Sequence, residues 1–305
     1  MLGNDVVDLE DVDARPETYR SRFDLRVFAE EERRAIAADP HPQARRWAHW
    51  GAKEAAYKLG RQIDPRFVFS PARLVPRFGP RGARAREVQA QGTRPGHDAP
   101  QNGLGAVVAS ESVECRRGRL ALAIDPRADA LALELCSFEA PAFVHVVAQP
   151  AGGDWAGVVM AVAVLDASGE DPGRAVRRLA VREIARAIGV DAARLEVVRR
   201  ATGADGRIPA LALDGVAFGG SLSLSHHGRF VAFAFREALA ADARGNAPRP
   251  APPDTRADAG ERAGRTGRTE QSLFTGRPAW APGVSAPIGF VGDPVRRRAT
   301  AWMTG

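Results

Sequence analysis

Apolar and polar positions repeat in two cycles along the 305-residue chain, each running from a strand through a helix into a group of strands. In the first cycle, "LGNDVVDL" (2–9) reads as a short strand. "FAEEERRAIAAD" (28–39) reads as a helix whose acidic first turn suits the helix dipole. "QARRWAHWGAKEAAYKLG" (43–60) reads as a second helix, rich in alanine and closed by Gly60. Strands are expected at 106–114, 119–124, 130–137 and 142–148. The second cycle opens with the strand "WAGVVMAVAVLD". It continues with a helix over 173–189, in which Val176, Leu179, Ala180, Ile184 and Ile188 share one face. Strands are then expected at 195–200, 209–213, 220–225 and 229–235.

Two stretches break this rhythm. Residues 76–105, full of Pro and Gly, read as an irregular exposed insertion. Residues 238–305 begin as Pro, Gly, Ala and Arg with almost no large apolar residue. Such a segment buries too little to offset its ordering, so a disordered tail is expected.

The two cycles resemble each other in order and in detail. "AKEAAYKLG" (52–60) aligns with "VREIARAIG" (181–189), and "LCSFEAPAFVHVVA" (135–148) with "LSLSHHGRFVAFAF" (222–235). We read this as an internal duplication. The fold class expected is α+β, with two similar halves forming a pseudo-dimer. The domains would be 1–150, 151–237 and the tail 238–305. The copies differ where chemistry would sit: the second has Ala187 in place of Lys58, and the first lacks "SHH". One active site shared between unequal halves would look like this.

Composition narrows the class. No run of about 18 apolar residues exists, so no membrane span is expected. The acidic start "MLGNDVVDLEDVD" is unlike a secretory signal. Cys115 and Cys136 alone make neither a disulfide framework nor a metal cluster, and a cytoplasmic protein is expected. The net charge of +6 invites a nucleic-acid reading. However, +4 of it lies in residues 238–305, which leaves the body nearly balanced.

Lysine occurs twice, at Lys53 and Lys58, in a chain whose other basic residues are all arginine. Glu54 and Lys58 are spaced i,i+4 on one helix face. A surface ion pair is the commonest meaning of that spacing. The Ala and Trp neighbours instead suggest a helix packed closely on something. Lys and Arg diverge at a phosphate, where a compact ammonium differs from a planar fork. Asp5, in "GND", puts a carboxylate on a strand beside a close-approach Gly, and reads as a turn residue or a metal ligand. Asp8 lies on the strand's other face. "SLSLSHHGRF" is a strand ending in two histidines. No third His or Cys accompanies them for zinc, and no G-x-S-x-G elbow marks a hydrolase, so a phosphate contact fits best. His49 and His145 read as packing residues.

"GNDVVDL", "SRFDLRVFAEEE", "WGAKEAAYK" and "LSLSHHGRFVAFAF", in this order, resemble the 4′-phosphopantetheinyl transferase superfamily, and the second stretch resembles its holo-acyl-carrier-protein synthase type. The resemblance covers residues 1–75 clearly and 155–237 more loosely. It implies transfer of 4′-phosphopantetheine from coenzyme A to a serine of an apo-acyl or peptidyl carrier protein, with release of 3′,5′-ADP. It further implies Mg²⁺ held by Asp5 and Glu54, and Lys58 on the pyrophosphate. Glu54 or a metal-bound water would take the serine proton. Ser225 and His226 would lie near the 3′-phosphate, Arg207 would stand for a degenerate basic element, and Lys53 would contact phosphate or carrier protein. Two departures stand out. The motif order is that of the small trimeric type extended to two halves, so a monomer is expected. Val7 also replaces an acidic residue that some members carry. The rival readings are an Arg-rich nucleic-acid-binding protein and an inactive coenzyme A-binding relative.

Overall fold

The strand expected near the N-terminus is β1 (Gly3–Asp8), and all six of its residues are buried. The structure, a computed structural model, describes residues 1–19, 21–80, 104–107, 114–125, 127–165, 169–201 and 207–238. The expected helix over 28–39 is α2 (Glu30–Ala37), preceded by α1 (Ser21–Val27), which is too short to show a period. Between them Ala29 is extended, and its N–H donates to Glu32 Oε2 at 2.8 Å, so α2 is capped by one of its own acidic residues. The Ala-rich helix is α3 (Pro42–Ile63). After it come β2 (Arg77–Phe78), β3 (Leu104–Val107), β4 (Glu114–Leu122), β5 (Leu131–Glu139) and β6 (Phe143–Pro150).

The second cycle contains β7 (Val158–Leu165), α4 (Pro172–Ile188), β8 (Leu195–Ala201), β9 (Arg207–Leu213), β10 (Val216–Phe218), β11 (Gly220–His227) and β12 (Phe230–Glu237). Asp171 caps α4 by accepting the N–H of Arg174, and Gly189 ends it in the left-handed conformation at φ +73°. The tail expected over 238–305 lies outside the described residues apart from Ala238, as does most of the insertion.

All strand pairings are antiparallel. One sheet has the order β1-β6-β5-β4-β2, a second β11-β12-β7-β3, and a third β10-β9-β8. Thus β3, although it precedes residue 150, pairs with β7 in the second sheet.

Alternation along the strands builds the layers. Leu2, Val6, Phe143 and Val147 of the first sheet meet Val162, Phe230, Ala232 and Ala234 of the second in one core. The opposite face of the second sheet, with Ala163, Val231, Phe233 and Phe235, packs on Val176, Leu179, Ala180 and Ile184 of α4. The opposite face of the first sheet is covered by α3. That contact is unusually close, because a Cβ on Gly3 would lie 1.8 Å from the carbonyl oxygen of Ala55. The small residues of "WGAKEAA" are therefore what lets β1 lie directly on the helix. Among the described residues, no helix is long and apolar enough to cross a membrane.

Candidate active site

The close approach of β1 to α3 sets the geometry of the candidate site. Gly3, Asp5 and Val7 point toward α3, and Asn4, Val6 and Asp8 point away. On the helix, Gly51, Glu54, Ala55 and Lys58 share the face that meets the strand. A Cβ on Gly51 would stand 3.8 Å from Asp5 Oδ2, so little besides backbone separates strand and helix here. Lys58 Nζ donates to Asp5 Oδ1 at 2.8 Å and to the carbonyl oxygen of Asn4 at 3.0 Å. Glu54 is buried beside this pair. Burial first, and then the charge of Asp5, push its pKa up to about 8, although Lys58 opposes the shift. Asp5, Glu54 and Lys58, singled out from the sequence, thus converge on one spot.

Lys53 does not join them. It is fully buried on another side of α3, donating to Glu32 Oε2 at 2.8 Å, to the carbonyl of Pro71 at 2.9 Å and to the carbonyl of Leu74. An ammonium has three donors, and all three are used inside the protein, so none is left for a phosphate or a carrier protein. Lys53 ties α3 to α2 and to the segment at 71–74. Burial lowers its pKa against the pull of Glu32. Glu32 also faces His49 Nδ1 at 3.1 Å, which places His49 in the same interior cluster. His145 is likewise interior, stacked on Phe138 with ring centroids 6.0 Å apart, and burial pushes its pKa down to about 3.

The second half reaches the site through β11. Its period of two puts Ser221, Ser223, Ser225 and His227 on one face, toward β1, and Leu222, Leu224 and His226 on the other. His226 is half-buried. Burial lowers its pKa, the Lys58 charge adds to this, and Asp171 and Asp5 pull the other way. It therefore sits within electrostatic reach of both Lys58 and Asp5. Ser225 is buried on the β1 side. Arg207 opens β9, and its side chain lies outside the described residues.

Several contributors carried no motif of their own. The Asn4 carbonyl is one, since backbone groups leave no mark in a sequence. Asp8 and Arg229 lie inside two of the quoted stretches but were given no role there. Arg229 Nε and Nη2 each donate to the Asp8 carboxylate at 2.9 Å, and the Arg229 backbone N–H donates to it at 3.0 Å. Burial alone would raise the Asp8 pKa, but these bonds hold it below its usual value. The intervening Gly228 has φ +52°, and a Cβ there would lie 2.6 Å from Asp8 Oδ2. Glycine is thus required twice over, by backbone conformation and by the carboxylate beside it.

The donor set can be tested against a divalent cation. Two carboxylates offer the hard oxygen ligands that Mg²⁺ prefers. Glu54 is buried beside Asp5, whose charge adds to burial in raising its pKa, and the Lys58 ammonium already sits on Asp5 Oδ1 at 2.8 Å, so the spot accepts positive charge. The residues fit such an ion. Among the described residues, no group of three or more His, Cys, Asp or Glu is placed to hold a metal, so most of its shell would come from water and substrate.

Residues 1–74 match the family model of the 4′-phosphopantetheinyl transferase superfamily. The matched segment holds β1 through α3, and so Asp5, Glu54 and Lys58, but none of β11. Neither curated proteins nor solved structures gave a match.

Proposed function

We propose that this protein is a 4′-phosphopantetheinyl transferase of the holo-acyl-carrier-protein synthase type, moving phosphopantetheine from coenzyme A to a serine of an apo-carrier protein. The observation that carries the reading is the meeting of Asp5, Glu54 and Lys58 where β1 lies on α3, within the segment that matches the superfamily. The correspondence of α3 and the β5–β6 hairpin with α4 and the β11–β12 hairpin supports a pseudo-dimeric monomer, with coenzyme A between the halves.

In this reading Asp5 and Glu54 hold Mg²⁺, which when bound neutralises charge on the pyrophosphate. Lys58, on a flexible stem that is 29% exposed, turns from Asp5 to a pyrophosphate oxygen. Glu54 can take the proton of the attacking serine only in its ionised form, which its raised pKa opposes and a bound divalent cation would favour. The serine oxygen forms a bond to the β-phosphorus, the bond to the bridging oxygen breaks, and 3′,5′-ADP leaves. His226 lines the nucleotide side, with Arg207 contributing charge near the 3′-phosphate, whereas Ser225, expected beside it, faces β1 from the opposite side of β11.

The test is incubation with coenzyme A, Mg²⁺ and a panel of apo-carrier proteins, read by intact mass. A carrier protein that gains one phosphopantetheinyl group, and does so only with divalent cation, supports the reading. No gain on any carrier protein would leave a protein that binds coenzyme A at most.

A further inference from the structure

β1 is an edge strand. Its inner edge pairs with β6, with Gly3 opposite Ala148, Asp5 opposite Val146 and Val7 opposite Val144. The backbone groups of Leu2, Asn4, Val6 and Asp8 face the other way, and among the described residues no strand pairs with them. All six strand residues are nevertheless buried, so those groups need partners.

Side chains supply them. The Leu2 N–H donates to Ser221 Oγ at 2.6 Å, the Asn4 N–H to Ser223 Oγ at 2.9 Å and the Asp8 N–H to His227 Nδ1 at 3.1 Å. The spacing repeats in steps of two on both strands, so one face of β11 acts as the missing neighbour. Among the described residues, no hydrogen bond of this kind joins Val6 to Ser225. The carbonyls on the same edge are taken from the helix side, that of Leu2 by Gln62 Nε2 at 2.5 Å and that of Asn4 by Lys58 Nζ at 3.0 Å. Asp8 closes the far end through Arg229.

Ser223 and His227 therefore bracket Asp5. Ser223 holds the N–H of the residue whose carbonyl receives Lys58, and His227 holds the strand three residues on. A backbone ladder would fix this edge by many equivalent bonds, whereas here each rung is one replaceable side chain. We propose that Ser223 and His227 are positioning residues, holding β1 at the register and tilt that keep Asp5 in reach of Lys58 and of a divalent cation shared with Glu54. Neither touches the cation or the substrate in this role; both act through β1. The inference rests on the reading of Asp5 and Glu54 as the cation-holding pair.

The experiment uses the full chain and Mn²⁺ as the probe, titrated directly by electron paramagnetic resonance without coenzyme A. Ser223→Ala and His227→Ala should each weaken Mn²⁺ binding by about tenfold, the worth of one buried hydrogen bond transmitted to the site. His227→Asn keeps an acceptor at the place of Nδ1 and should recover most of the affinity even if the alanine variant folds poorly. Val176→Ala, a cavity-forming change in the α4 core away from β1, serves as a control for lost stability and should bind Mn²⁺ as the unaltered protein does. If Ser223→Ala and His227→Asn both bind like the unaltered chain while His227→Ala also does, the positioning role is overturned. If Val176→Ala weakens binding equally, the effect is general loss of stability and the proposal again fails. If the unaltered chain binds Mn²⁺ and Asp5→Asn does not reduce the binding, the reading of the pair fails before the proposal is reached, and the two failures are told apart.

Discussion

Replacing Glu54 with glutamine isolates the electrostatic cost at the centre of the candidate site. In the folded protein the Glu54 carboxyl titrates near pH 8 rather than at its ordinary 4.5, chiefly through burial and then through Asp5. Between those values the folded chain holds a proton that the unfolded chain has released, so stability falls as pH rises through the interval. Below about pH 4.5 the contribution is absent, and above about pH 8 the full cost of an ionised, buried carboxylate is felt. At about 1.4 kcal/mol per unit, that cost is on the order of 5 kcal/mol, a large part of a typical domain's stability. Glu54→Gln keeps the shape and cannot ionise. Denaturant unfolding of both proteins without divalent cation, from about pH 5 to about pH 9, should show the variant gaining on the unaltered chain as pH rises. Adding Mg²⁺ at the alkaline end should restore the unaltered chain and leave the variant unmoved. A stability difference that stays flat across this range would refute the picture of a carboxylate strained by burial and by Asp5.

Lys58→Arg should cut phosphopantetheine transfer at least about tenfold, or about 1.4 kcal/mol of transition-state stabilisation. A planar fork cannot take the place of one ammonium between Asp5 Oδ1 and the Asn4 carbonyl. Its melting temperature should move little, and wild-type turnover would refute the assignment. Lys53→Met should behave oppositely. It leaves Glu32 charged and two carbonyls unpaired in the interior, at a cost of about 3–5 kcal/mol in denaturant unfolding. Gly3→Ala should destabilise the chain and weaken divalent-cation binding together, because a Cβ 1.8 Å from the Ala55 oxygen must push β1 off α3.

What was legible in the chain follows from where its information is local. Periodicity located α4 and the β11–β12 hairpin, because the helical repeat and alternation record which face each segment buries, whereas α3 was marked by its alanine content and runs past the expected stop at Gly60 to Ile63. The spacing of Glu54 and Lys58 placed both on one helix face, since four residues make about one turn. Other features were not local. α1 and β2 are too short to carry a period, and β3 crosses into the second sheet through a pairing that no stretch of residues announces. Lys53 shows the limit most plainly. Its neighbour in sequence is Glu54, and the sequence offers the same reason to suspect both. Only packing decides that a step of about 100° round α3 turns Lys53 into the interior cluster with Glu32 while Glu54 faces Asp5. The unpaired edge of β1 is likewise a tertiary fact. "SLSLSHH" determines that three serines and His227 share a face, but the packing of two sheets determines that this face completes a strand from the other end of the chain.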